Sequence, residues 1–295
     1  MSDGVVVAAA VSHPIPPQRP SSASRKAWRT LAYLLLIAFA VLMLFPFAWM
    51  VATSLTTDAQ LFVTPPQLIP SPAQPENYSR VADLFPLGRF LANSLFVAGV
   101  STVLQVTTSA LAAYAFSRLR FRGRDALFVV YLATLMVPMQ VTIVPLFIEM
   151  RYLGLVNTYP GLLLPGIVSV FGTFLLRQAF LGLPRDMEEA AFLDGAGQWT
   201  VFRRIVVPLS LPAMATFAIF AFMASWNAFL WPLVIVSSQD LMTLPVGLSN
   251  LHGQYSTAWN LVMAGATVSV IPILIVYVVA QRYVIRGVTL SGLKG

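Results

Sequence analysis

No cysteine occurs in the 295 residues, which excludes a disulfide framework, a thiolate metal site and a thiol redox centre. Histidine is nearly as scarce. His13 and His252 stand far apart in the chain, which argues against a histidine-based metal site. Charge is the third scarcity: 10% of the residues are Asp, Glu, Lys or Arg, against roughly 25% in a soluble globular domain. Apolar residues take their place, with 58% of the chain hydrophobic and a mean hydropathy of +0.78. A chain so poor in charge cannot expose most of its surface to water. It is therefore placed among integral membrane proteins before any domain count is drawn from its length.

The few charges then locate the spans. A transmembrane helix needs about 20 residues free of charge, because ionised side chains are costly in hydrocarbon. Six long charge-free intervals occur: 30–57, 90–117, 126–148, 152–176, 205–239 and 241–281. They predict an all-α membrane protein of six transmembrane helices. The spans are expected near 31–50, 90–115, 126–148, 162–176, 206–236 and 261–280, the fourth shortened by a break at Pro160-Gly161 and ended by a snorkelling Arg177. The stretch 249–260 is expected to be an external loop or re-entrant segment. The first apolar stretch starts too late, runs too long and lacks the small-residue cleavage site of a signal peptide. Residues 1–29, with Pro14, Pro16, Pro17 and Pro20 among serines, read as a disordered tail.

Basic residues mark cytoplasmic loops. With the N-terminus inside, alternation puts 15 of the 18 Lys and Arg residues inside, leaving only Arg80, Arg89 and Arg151 outside. Both termini are then cytoplasmic, and the external loops are 53–89 and 237–260. The net charge of +7 is thus topogenic. The run Arg118, Arg120, Arg122 and Arg124 reads as a cytoplasmic hairpin rather than a nucleic-acid contact.

The long cytoplasmic loop lies between spans four and five. Pro184 can open a helix there, with Asp186, Glu188 and Glu189 in its first turn. Gly195 supplies a left-handed stop, a second short helix follows near 198–206, and Pro208 marks the entry to span five. The alanines are expected to leave a flat, closely approachable face. The spacing Glu189-Ala190-Ala191, then Gly195, then Ile205, Val207 and Pro208 resembles the EAA loop of ABC importer permeases, with Val207 where that family usually has leucine. The segments AYAFSRLRFRGR (113–124), VPMQVTIVPLF (137–147), WNAFLWPL (226–233) and SGLKG (291–295) resemble the maltose-type sugar permeases, and the likeness runs from about residue 30 to the end.

That resemblance implies a type I ABC importer permease: a first helix and external loop over 30–85, a core over 86–285 containing coupling loop 184–206, and a cytoplasmic tail over 286–295. It implies a homologous permease as heterodimeric partner, two copies of a cytoplasmic ATPase, and an extracytoplasmic binding protein that delivers a sugar. ATP and Mg belong to the ATPase, and this chain binds no cofactor. Glu189, Ala190, Ala191, Asp194 and Gly195 would contact the ATPase, and Lys294 in the tail could reach it too.

Polar residues within the predicted spans have two readings. Gln140, between Pro138 and Pro145, and Asn227, beside Trp226, offer amides next to apolar surface, as a sugar path requires. Interhelical hydrogen bonding, common in membrane bundles, is the more ordinary use. Thr107, Thr108 and Ser109 read as packing residues. An ion-coupled secondary sugar transporter is the alternative function, but such carriers place ionisable groups inside the membrane and often carry inverted repeats, and neither is found. A membrane enzyme would need a nucleophile–base pair or paired carboxylates at a membrane face. The acidic group at 186–194 has a helix-start and docking role instead. No GxxxxGK(S/T) phosphate loop occurs, so ATP energy must come from a partner.

Overall fold

The structure is a computed structural model, and it describes residues 22–65, 68–251 and 258–292. Within them all regular structure is helical. The chain divides into two compact units, Met1–Trp49 and Met50–Gly295.

Helix α1, Ser22–Ser54, begins well before the expected boundary at residue 30. The last proline is Pro20, and the residues after it include good helix formers, so nothing stops the helix from starting there. The rest of the expected tail, 1–21, lies outside the described residues. A short α2, Asn77–Leu84, follows. Buried Asn77 donates through Nδ2 to the carbonyls of Ser54 (2.9 Å) and Thr56 (2.8 Å), which fixes the turn leaving α1.

Helix α3, Leu87–Arg118, is unbroken over 32 residues. The expected third span is two helices, α4 (Arg124–Ala133) and α5 (Met139–Tyr152), bent by 97° about Val137 and Pro138. Proline pushes the residue before it out of the helical region, and Val137 is accordingly extended, at φ −83° and ψ 110°.

The fourth span is also bent, by 47°, between α6 (Tyr159–Leu163, continued by a 3₁₀ turn to Gly166) and α7 (Val170–Leu181). Its break lies at 167–169 rather than at Pro160-Gly161. Pro160 sits in the first helical turn, where its missing N–H costs nothing, and Thr158 Oγ1 caps the turn by accepting from the Gly161 N–H at 3.1 Å. At the real break α3 takes the freed carbonyl of Ile167, to which Thr108 Oγ1 donates (2.7 Å), and Ser109 Oγ adds a bond to the Ser169 carbonyl (3.2 Å). Residues read as packing groups therefore satisfy irregular backbone, as apolar surroundings require.

Next come α8 (Asp186–Leu193) and α9 (Gln198–Val201), a π-helical turn over Phe202–Val206, and α10 (Val207–Leu209). A 76° bend at Ser210, between Pro208 and Pro212, leads into α11 (Leu211–Trp226). The expected span 206–236 is thus interrupted twice, since 227–229 separate α11 from α12 (Leu230–Ile235). Helix α13 is Leu244–Ser249, and α14, Trp259–Gly292, closes the chain. Half of the expected loop 249–260, residues 252–257, lies outside the described residues. Among the described residues three helices are long and apolar enough to cross a membrane: Trp28–Ser54, Leu87–Arg118 and Trp259–Val279. Counting each bent pair as one span raises the number to as many as six.

The core nearest the α8–α9 hairpin joins Tyr114 of α3, Leu176 and Phe180 of α7, Val201, Phe202 and Val206, and Phe217 of α11. Helices α7 and α11 meet closely there, because a Cβ on Gly172 would fall inside the Phe217 ring.

Candidate functional site

The hairpin 186–209 is built by local rules. Asp186, Glu188 and Glu189 occupy the first turn of α8, where carboxylates favour the helix dipole. The helix closes through Gly195, at φ +84°. The Gly195 N–H donates to Phe192 O (3.0 Å) and the Ala196 N–H to Ala191 O (2.9 Å), the paired bonds of a glycine-terminated helix end.

The two faces of α8 differ sharply. Glu189, Ala190, Asp194 and Gly195 are exposed, as are Met187, Phe192, Leu193 and Trp199. Leu193 is 90% exposed, which leaves an apolar tip on the hairpin. Ala191, expected on the approachable face, instead packs inward against the core with Ala196. The helix period explains this: 188 and 191 share one face, 189 and 193 the other.

Glu188, expected only as a first-turn acid of the loop, is the acid that anchors the hairpin. Its carboxylate pairs with Arg118 at 2.7 Å, and the two side chains are only 8% and 5% exposed. Arg118 also donates from Nη2 to Leu183 O at 3.2 Å. One turn earlier on α3, Tyr114 OH donates to Gln198 Oε1 at 2.7 Å. The face shared by Glu188 and Ala191 and the adjacent acidic pair were visible in the sequence, but not the partner.

The arginines of the basic run and Arg177 also make local contacts. Arg124 pairs with Asp125 at 3.0 Å and donates to Leu119 O at 3.4 Å. Arg177 is not free at an interface: its guanidinium lies 4.2 Å above the Phe128 ring, and Nε donates to Phe116 O at 3.2 Å. Arg120, Arg122, Arg124 and Arg185 line an open groove of about 750 Å³.

Of the residues read as a substrate path, Gln140 and Asn227 are exposed and Trp226 is buried. Gln140 lies in the first turn of α5 and is exposed. Asn227 is exposed at the C-terminal cap of α11 and donates through Nδ2 to Met223 O at 2.8 Å. Trp226 is 1% exposed, stacks on Phe222 and donates from Nε1 to Ser269 O at 3.3 Å. It packs α11 onto α14 and offers no face to a sugar in this conformation. Lys294 lies outside the described residues.

At the end of α3 opposite the hairpin, Asn93 Nδ2 donates to the carbonyls of Asp240 (2.8 Å) and Met242 (2.9 Å), and Tyr159 OH donates to Asn93 Oδ1 (2.7 Å). Ser94 Oγ accepts from the Leu244 N–H at 2.7 Å.

Long apolar helices, bent helix pairs and a hairpin with an exposed apolar tip are features of a membrane protein with a surface open to docking. Residues 105–290 match the family described as binding-protein-dependent transport system inner membrane component, and the chain belongs to that family. It is a permease subunit of an ABC importer and not itself an ATPase. It is 36% identical over 279 residues to the arabinooligosaccharides transport system permease protein AraQ of Halalkalibacterium halodurans, covering 92% of this chain and 99% of that one. It is 38% identical over 254 residues to the sulfoquinovosyl glycerol transport system permease protein SmoH of Agrobacterium fabrum, with 85% and 89% covered. The sn-glycerol-3-phosphate transport system permease protein UgpE of Yersinia pestis is 36% identical, with 90% and 97% covered. Among solved structures, a bacterial ABC transporter involved in import of the acidic polysaccharide alginate matches with a TM-score of 0.79 at 26% identity, over 90% of this chain and all of that one.

Proposed function

We propose that this chain crosses the inner membrane six times with both termini in the cytoplasm and forms half of the translocation pore of a carbohydrate importer. A homologous permease subunit supplies the other half as a heterodimer. Two copies of a cytoplasmic ATPase bind ATP and Mg. An extracytoplasmic binding protein delivers the sugar to the loops 53–89 and 237–260. The sugar class is drawn from the relatives, several of which are named for sugar or oligosaccharide transport.

The observation that carries this reading is the hairpin 186–209, whose outer face presents Glu189, Leu193, Gly195 and Trp199 while its inner face is buried in the core. Glu189 and the Asp194-Gly195 turn form the main contact with the ATPase, Ala190 borders it, and Ala191 supports it from behind. The tail around Lys294 adds a second contact. ATP-driven closure of the ATPase pair moves the hairpin, and the helices alternate between inward- and outward-facing states. Gln140 and Asn227 are the polar groups available to line the path.

The test is gentle extraction of the tagged chain from its native cell and identification of what accompanies it. A second permease, an ATPase and an associated sugar-binding protein are the expected companions. Recovery of a homo-oligomer without an ATPase would overturn the reading and return the ion-coupled transporter as the explanation.

A further inference from the structure

Glu188 is the only buried carboxylate among the described residues, and its pairing with Arg118 asks for an explanation. As a stabiliser it is a poor choice. Desolvating two charges offsets much of their attraction, and well-packed apolar groups of similar size serve stability equally well. What a buried pair can supply is a fixed register between two elements.

The register here is between the hairpin and α3. Three contacts hold the hairpin to the last turns of that helix: Arg118 to Leu183 O at its entry (3.2 Å), Arg118 to Glu188 in its first arm (2.7 Å), and Tyr114 to Gln198 in its second (2.7 Å). Residues 114 and 118 lie one turn apart on the same helix face. The far end of α3 is tied in the same way, since Arg89, Asn93 and Ser94 bond the backbone of Asp240, Met242 and Leu244. Between these ties α3 runs without a break. The segments packed beside it, α6–α7 and α10–α11, are bent by 47° and 76°, so neither is a continuous helix from one end to the other as α3 is.

We propose that α3 is a lever and that the Arg118–Glu188 pair is the pin joining it to the hairpin. Movement imposed on the hairpin then passes, at fixed register, to the 240–244 segment at the opposite end. Arg118 and Glu188 are positioning residues: they touch neither substrate nor nucleotide. The inference rests on the ATPase-docking role proposed for the hairpin.

The absence of cysteine makes the test direct. Arg203→Cys on the hairpin and Leu111→Cys on α3, both exposed and neither placed in the ATPase contact, are spin-labelled in the assembled complex in lipid nanodiscs. Their distance is measured without nucleotide and after trapping with Mg-ATP and vanadate. With the pair intact the distribution is narrow and unchanged by trapping. In Arg118→Met and Glu188→Gln it broadens and shifts on trapping, while basal hydrolysis persists. The exchanged pair Arg118→Glu/Glu188→Arg narrows it again, a rescue that loss of packing alone would not give.

A shift on trapping in the intact, hydrolysing complex overturns the pin, as does an unchanged distribution in the disrupted variants. Should the single variants not assemble, the intact and exchanged pairs decide, because independent motion in either overturns it. If the unmodified chain brings down no ATPase, the docking role falls and the pin with it. A shift within an assembled complex removes the pin alone.

Discussion

At the scale of single residues, Gly195 carries two roles that substitution can separate. Its φ of +84° strains most side chains, yet nothing lies within 4 Å of the place a Cβ would occupy. A β-branched residue there costs about 1–3 kcal/mol in backbone strain, whereas asparagine visits this region readily. Gly195→Val is expected to lower the thermal midpoint of the purified protein, and Gly195→Asn to leave it nearly unchanged. If the turn seats on the ATPase, Gly195→Asn still reduces sugar uptake because its side chain blocks the approach. Normal uptake by Gly195→Asn would remove this turn from the contact. Gly172 presents the opposite case, since its surroundings are full. Gly172→Ala drives a methyl into Phe217 and is expected to cost about 1–3 kcal/mol by overpacking. Adding Phe217→Leu should recover part of that loss, and a double-mutant cycle on thermal unfolding measures the coupling. The sequence showed which residues to examine in the hairpin but not which face each took. Glu189 and Glu188 are adjacent, and only the packing against Arg118 makes the second the buried one. Trp226 and Asn227 divide in the same way, the first into the core and the second to the surface.

At the scale of elements, charge-free intervals located the apolar segments but not their bends. Charge counting is blind to a proline that frees backbone groups within an apolar run. Pro138 bends its segment because it forces Val137 extended, while Pro160 starts a helix because Thr158 precedes it as a cap. Where the freed carbonyls go was unreadable, because their partners are distant in sequence. The break at 167–169 depends on two such partners. Ser169→Ala removes the oxygen that accepts from the Gly172 N–H at 3.0 Å and is expected to cost about 1 kcal/mol. Thr108→Val unpairs the Ile167 carbonyl, with an expected cost of about 0.6 kcal/mol, the average for interhelical bonds in membranes. Because both act on one break, their combined effect on the thermal midpoint should differ from the sum. Strict additivity would show that the break is held by something else.

At the scale of the whole molecule, composition alone made the membrane class and the helical character evident. The number of crossings is the harder matter, because a bent pair can span the bilayer or re-enter the same face. Parity decides it. Between the exposed positions Ala73 and Gln239 lie α3 and the three bent pairs. If each pair is one span, the two positions share one side and Leu193, separated from Ala73 by α3 and two pairs, lies on the other; the proposed orientation makes these the external and the cytoplasmic side. Single cysteines at these positions in the cysteine-free chain can be challenged in spheroplasts with a membrane-impermeant maleimide. Ala73→Cys and Gln239→Cys are expected to react at once, and Leu193→Cys only after permeabilisation. Reaction of Leu193→Cys from outside would make an odd number of the segments before it re-entrant and would put the hairpin beyond reach of a cytoplasmic ATPase. Protection of Gln239→Cys alone would instead assign the re-entrant geometry to the Gln198–Trp226 pair. That result would leave the hairpin cytoplasmic but place the 240–244 end of the α3 ties on the same side as the ATPase, where a lever could not carry movement across the membrane.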